Sequence, residues 1–235
     1  MTDQVLIVNA DDFGASAGVN RGVVRAREHG IVTSATLMVR GPAAREAGAY
    51  AQRDPAFDVG LHFDLGEWEY HDGEWHARYE VVATDDADAV AAELDRQLEL
   101  FEHLVGRPPS HLDSHQHVHR DRPAQDLLIR AGARLGVPVR QFNDAGITYS
   151  GEFYGQDGKG TPVPEAITVA ALMSLIESLP AGVTELGCHP GLDDDLETTY
   201  RHERPREVAA LCDPRVRAAV ESSGVVLASF ADLRR

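Results

Sequence analysis

Short apolar runs alternate with helical patterns along almost the whole chain, and this alternation limits the fold more than any other feature. VLIVNA (5–10) is rich in β-branched residues and reads as a buried strand. AGVNRGVVRAREHG (17–30) has helical spacing and ends at Gly30, a residue suited to a helix C-terminus. IVTSATLMV (31–39) reads as a strand, 42–53 as a helix and FDVGLHF (57–63) as a third strand. Residues 64–82 read as a long connection carrying Trp68 and Trp75. DADAVAAELDRQLELFEHLVG (86–106) is the clearest amphipathic helix, and a strand at HLDSH follows it. RPAQDLLIRAGARLG (122–136) predicts a helix, VPVRQ (137–141) a strand and 142–162 a loop. PEAITVAALMSLIESL (164–179) predicts a helix, GVTELGCHPG (182–191) a strand entering a loop, and VVLASF (225–230) a last strand after helical patches at 203–211 and 214–222. Such alternation means βα units around a parallel sheet. About seven units fit a single incomplete (β/α) barrel better than two domains, so residues 1–235 are expected to form one catalytic domain.

Composition narrows the partners. The 38 acids outnumber 22 bases, for a net charge of -16, which disfavours nucleic acid and anionic membrane surfaces as partners. Neutral or cationic small molecules stay open. Two cysteines make no disulfide framework, and there is no CxxC pattern. The N-terminal MTDQVLIVNADD lacks a basic region before an apolar core, so a cytoplasmic protein is expected. Neither a dinucleotide fingerprint nor a P-loop is present. GASAG (14–18) matches a serine-nucleophile pattern, but DDF separates Ser16 from the strand, so Ser16 reads better as a helix N-cap. Oligomeric state is not fixed by these features, and a homodimer is compatible with them.

In parallel α/β folds, active groups sit after the strand C-termini. Four predicted strand ends carry chemistry. The first ends in NADDFG, where Asp11 and Asp12 need a cation or a proton between them, or else serve a helix N-terminus. The third ends in GLHFDL, with His62 on the face opposite Phe57, Val59 and Leu61. The fourth is HLDSHQHVH (111–119), in which His111, Asp113, His115, His117 and His119 alternate. One extended strand would stack all five on one face, which no core tolerates. The strand is therefore expected to stop between Asp113 and His115 and turn, aiming His115 at the pocket, with the other histidines flanking it there. A late strand ends in LGCHPG, with His189 before Pro190 and Gly191. Each histidine alone could be a structural core or loop residue. Jointly, aspartates and histidines on one rim suit a divalent metal with open positions, plus a general base and a general acid.

NADDFG, GLHFDL, HLDSHQHVH, FYG (153–155) and CHPG, with the later HERPREVAAL and LASFADL, resemble the YdjC-like carbohydrate deacetylases in order and spacing over nearly the entire chain. That resemblance implies a deformed, incomplete barrel related to polysaccharide deacetylases. It implies one divalent metal ion held by Asp12, His62 and His115, with Asp11 as base and His189 as acid. The substrate it implies is an N-acetylated sugar or short oligosaccharide. Zinc or magnesium heads the metal choices, with cobalt, nickel or manganese as alternatives.

Beyond that set, Asp113 is expected to orient His115 through its other ring nitrogen, and Arg140 to pair with Asp11. His117 and Tyr154 are candidates for bracing the site or touching substrate. Trp68, Tyr70, Trp75 and Tyr79 could offer flat faces to a sugar. Asp64 is an unexpected carboxylate, expected near the metal. A metal-dependent phosphoesterase, another amidohydrolase or a non-catalytic metal- or sugar-binding regulator are the competing readings.

Overall fold

The computed structural model describes residues 4–143, 145–192 and 195–233. In chain order it contains β1 (Gln4–Phe13), α1 (Ala17–His29), β2 (Ser34–Leu37), α2 (Ala44–Arg53), β3 (Asp58–Phe63), β4 (Gly66–His71) and β5 (Glu74–Glu80). There follow α3 (Ala87–Val105), β6 (Leu112–Ser114), α4 (Ala124–Leu135), β7 (Ile147–Ser150), α5 (Val169–Glu177), β8 (Gly182–Cys188), α6 (Arg204–Leu211), α7 (Pro214–Ser223) and β9 (Val226–Leu227). Helix ends follow their side chains. Ser16 caps α1 by accepting from Val19 N, which fills the role expected of it and removes it as a nucleophile. Asp86 caps α3 in the same way, and Gly106 ends that helix at a left-handed φ of 77°. Val90, Leu94, Phe101 and Val105 form the buried stripe of α3.

The strands order as β6-β3-β2-β1-β8-β7, all parallel, with β9 pairing the start of β1. The sheet curls with helices outside, and because its edge strands β6 and β7 do not pair it remains a half-barrel. Parallel strands covered on both faces read as continuous apolar runs, as Leu6, Ile7 and Val8 do at 0% exposure.

Three expected elements differ. VPVRQ contributes only one parallel bridge, Val139 to Leu112, because Pro138 has no N–H to extend the ladder. Its Arg140 N–H still donates to Leu112 O, so the segment fills the gap at the open edge. Ile147–Ser150, inside the predicted loop, is the edge strand β7 beside β8. Residues 66–80, read as a connection, form the antiparallel hairpin β4–β5. Its turn has positive φ at Asp72 (53°) and Gly73 (88°), the backbone for which Asp-Gly is suited.

Candidate active site

Adjacent residues of a strand point to opposite faces, yet both Asp11 and Asp12 line one cavity. A β-bulge between Ala10 and Phe13 in the β1–β2 ladder solves this, with Asp12 at a φ of 65°. Aspartate tolerates that left-handed backbone better than most residues. The bulge thus puts two carboxylates on the rim, where His62 arrives from β3 and His115 from the turn after β6.

The strand β6 ends at Ser114, and the chain turns at His115, as the alternation of histidines requires. Positive φ at Gln116 (48°) and His117 (56°) makes that turn. The run of histidines is then divided. His115 and His117 line the cavity. His111 and His119 are buried structural groups instead of rim residues, which corrects the expectation for them. His111 meets Asn9 Oδ1 at 3.0 Å and stacks on Phe230 at 3.7 Å. His119 shares a hydrogen bond with Ser114 Oγ, and burial pushes it down to about 4.

Asp12 Oδ1 lies 3.3 Å from His62 Nε2 and 3.1 Å from His115 Nδ1. Arg204, from α6, takes the other oxygen at 2.6 Å. Burial raises Asp12, but Arg204 and the two imidazoles hold it well below the ordinary carboxylate value. On its far side His62 faces Asp113 Oδ1 at 2.7 Å through Nδ1. Asp113 therefore orients His62, not His115 as expected, because registered pairing puts Asp113 beside His62 on neighbouring strands. Burial lowers His62, yet Asp113 and Asp12 raise it well above 6.5 overall. His115 is likewise pushed up to about 9, against burial, by Asp12.

These groups fit a divalent cation. Ligand atoms of Asp12, His62 and His115 lie within 4.8 Å of one another. Arg204 leaves one Asp12 oxygen facing both imidazoles, which meet it through His62 Nε2 and His115 Nδ1. Asp11, His62 and Asp113 make a second compact group, but a cation already sits there. Arg140 pairs with Asp11 (2.6 Å), Asp113 (2.8 Å) and Glu185 (2.7 Å). The expected Arg140–Asp11 pair is therefore two-pronged, with Nη2 adding 2.7 Å to Oδ1. Against burial, Arg140 holds Asp11 well below the ordinary range, while Glu185 is pushed up by burial to about 7.

His189 enters after β8, its Nε2 3.8 Å from Asp11 Oδ2. Burial pushes it down to about 4, and its Nδ1 has no hydrogen-bond partner among the described residues. Tyr154 packs edge-on to His189 at 5.2 Å and stacks on Tyr200 at 4.4 Å. His117 Nε2 is 3.5 Å from Tyr149 Oη, and burial pushes the ring down to about 3. Asp64 is held by the hairpin. It accepts Tyr79 Oη at 3.0 Å and Gly66 N at 2.9 Å, so it and Tyr79 anchor the hairpin root. Sequence reasoning missed Arg204, Glu207 and Glu185. Two signals were available: HERPREVAAL, a motif of the resemblance, carries Arg204 and Glu207, and a lone glutamate inside the apolar GVTELGC requires a partner, as buried carboxylates do.

A curled parallel half-barrel with flanking helices is also the fold of solved polysaccharide deacetylases. A Bacillus cereus polysaccharide deacetylase matches with a TM-score of 0.56 and 14% identity, over 99% of this chain and 94% of that one. A solved protein from Enterococcus faecalis V583 matches at 0.80 and 24% identity, over 99% of both. The chain belongs to the YdjC-like protein family, whose model matches residues 5–222. It is 34% identical to the chitooligosaccharide deacetylase of Serratia marcescens, over 98% of this chain and all (100%) of the relative. It is also 34% identical to the carbohydrate deacetylase of Geobacillus stearothermophilus, over 95% and 96%.

Proposed function

We propose that this chain is a carbohydrate N-deacetylase that hydrolyses the acetamide of an N-acetylated sugar or short oligosaccharide. The carrying observation is Asp11 and His189, 3.8 Å apart, at the cavity that also holds Asp12, His62 and His115. The names of the relatives support the substrate class. A divalent cation held by Asp12, His62 and His115 would supply Lewis acidity toward a carbonyl and a water. Asp11 is ionised at rest, aimed by Arg140 on both oxygens, and accepts the proton of the attacking water. His189 is neutral at rest, so the proton it gives the leaving nitrogen must first reach it, and Asp11 Oδ2 is at hand. One proton thus passes from water through Asp11 and His189 to the amine. Residues 1–235 act in this reading as one catalytic domain. A phosphoesterase reading has less support, since Arg140 and Arg204 are both engaged by carboxylates.

The test is acetate release from diacetylchitobiose and N-acetylglucosamine by chelated protein, with zinc, cobalt, nickel, manganese or magnesium then added back. Metal-dependent acetate is expected and would rank the metals. Protein that binds a metal yet releases no acetate from either sugar overturns the reading.

A further inference from the structure

The chain has two tryptophans, Trp68 and Trp75. Both lie on the hairpin β4–β5, and both line the same cavity as Asp12, His62 and His115. Tyr70 pairs with Trp75 and Trp68 with Ala77 across the hairpin. Opposed residues share a face, so Trp68, Tyr70 and Trp75 stand together. The other face is polar, with Arg78 2.9 Å from Glu69 and the rings of His71 and His76 stacked at 3.9 Å. Trp75 meets Tyr70 edge to face at 5.4 Å, and the Lys159 ammonium sits 5.0 Å over the Tyr70 ring. Tyr70 is thereby occupied on one face and braced at its side. Trp75, at 57% exposure, is held in place yet left uncovered.

We propose that this aromatic face is a subsite for a second pyranose ring, next to the sugar whose acetamide is hydrolysed, with Trp75 as its stacking platform. This rests on the deacetylase reading. A pyranose has an apolar C–H face and a rim of hydroxyls. Trp75 suits the face, and the Lys159 ammonium over the neighbouring Tyr70 ring suits the hydroxyls. The cavity of about 620 Å³ runs unbroken from Asp12 to Trp75, within the roughly 300–1,000 Å³ of small-molecule sites. Continuity with the reacting groups favours the substrate itself as occupant over a second copy of the chain. Stacking of this kind is made equally in ground and transition states, so it acts on KM rather than kcat.

The test compares wild type, Trp75→Ala and His76→Ala, the last on the polar face, on diacetylchitobiose and N-acetylglucosamine. Trp75→Ala should raise KM for the disaccharide about tenfold, with kcat and the monosaccharide kinetics unchanged. His76→Ala should match wild type. Because both tryptophans are on the hairpin, intrinsic fluorescence reads this face directly. Chelated wild type should show a saturable change with diacetylchitobiose and not with N-acetylglucosamine at equal concentration. An unaltered disaccharide preference in Trp75→Ala, with silent fluorescence, overturns the subsite while leaving the deacetylase reading intact. So does self-association by sedimentation that Trp75→Ala abolishes, which would make the face a contact between copies. If wild type releases no acetate, the deacetylase reading fails, and the fluorescence titration still decides whether the face binds a disaccharide.

Discussion

The floor of the cavity and the hairpin above it are built on opposite terms. On the floor, Asp11, Asp113 and Glu185 surround Arg140, all at 3% side-chain exposure or less. Arg140 donates to all three, and Asp113 also faces the His62 imidazole. The hairpin has an exposed β5 throughout and is tied down at its root. There Gln116 exchanges two hydrogen bonds with the Trp68 backbone, at 2.9 and 2.8 Å, and Tyr79 reaches Asp64. Buried charges are costly unless mutually satisfied, so the floor is rigid because it has no cheap alternative. The hairpin buries little and can adjust. In the proposed reaction, chemistry that needs sub-ångström placement falls to the first, and recognition of a second sugar to the second.

The largest effect should come from breaking the floor. Arg140→Gln leaves three buried carboxylates without their cation, and should destabilise the fold by about 3–5 kcal/mol. Denaturant unfolding would read this, and a loss under 1 kcal/mol would mean that water already screens the cluster. Next, Asp11→Asn should lower kcat by about 10²- to 10⁴-fold while metal binding by calorimetry persists. His115→Ala should abolish metal binding instead. Full turnover in Asp11→Asn would remove it from the base role.

A third, subtler change separates the floor by pH. Glu207 accepts from Tyr200 Oη and the His189 backbone N–H, and burial pushes it up to about 8 from 4.5. The folded state therefore keeps a proton that the unfolded chain gives up. Its contribution is complete below about 4.5 and is lost as pH rises through about 8. Melting temperatures from pH 5 to 8 should fall less in Glu207→Gln than in wild type; parallel curves would exclude a proton on Glu207. The smallest global effect is expected at the hairpin turn. Gly73→Val places a β-branched residue at a φ of 88°. It should loosen β4–β5, shift Tm by less than about 3 °C and weaken disaccharide binding more than it slows chemistry. An equal loss of stability to that of Arg140→Gln would show that the hairpin is part of the core.

Much of the floor was legible in the chain. Asp11, Asp12, His62, His115 and His189 each follow an apolar run, and a parallel sheet brings such positions to one rim. The histidine run could be parsed because period-two alternation of five ionisable side chains is not compatible with a continuing strand. Less visible was the hairpin, although Asp72-Gly73 between alternating residues carries its turn. Its aromatic residues were candidates for contact with a sugar, but only the pairing of the two strands sets Trp68, Tyr70 and Trp75 on one face. Asp113 was assigned to the wrong neighbour because proximity in sequence was used where pairing between strands decides.

By itself the sequence determined the alternation of strands and helices, the strand ends that bear ionisable groups, and the need for a cation among them. These follow from local periodicity and from the cost of burying charge, both readable without coordinates. Only the tertiary structure decided which further carboxylates Arg140 serves and which cation serves Asp12. Arg140, expected beside Asp11, also holds Asp113 and Glu185, and Arg204 reaches Asp12 across 192 positions of chain. No local pattern encodes such pairs, because they depend on where the curled sheet stops, which helix packs beneath its rim and how far a guanidinium extends.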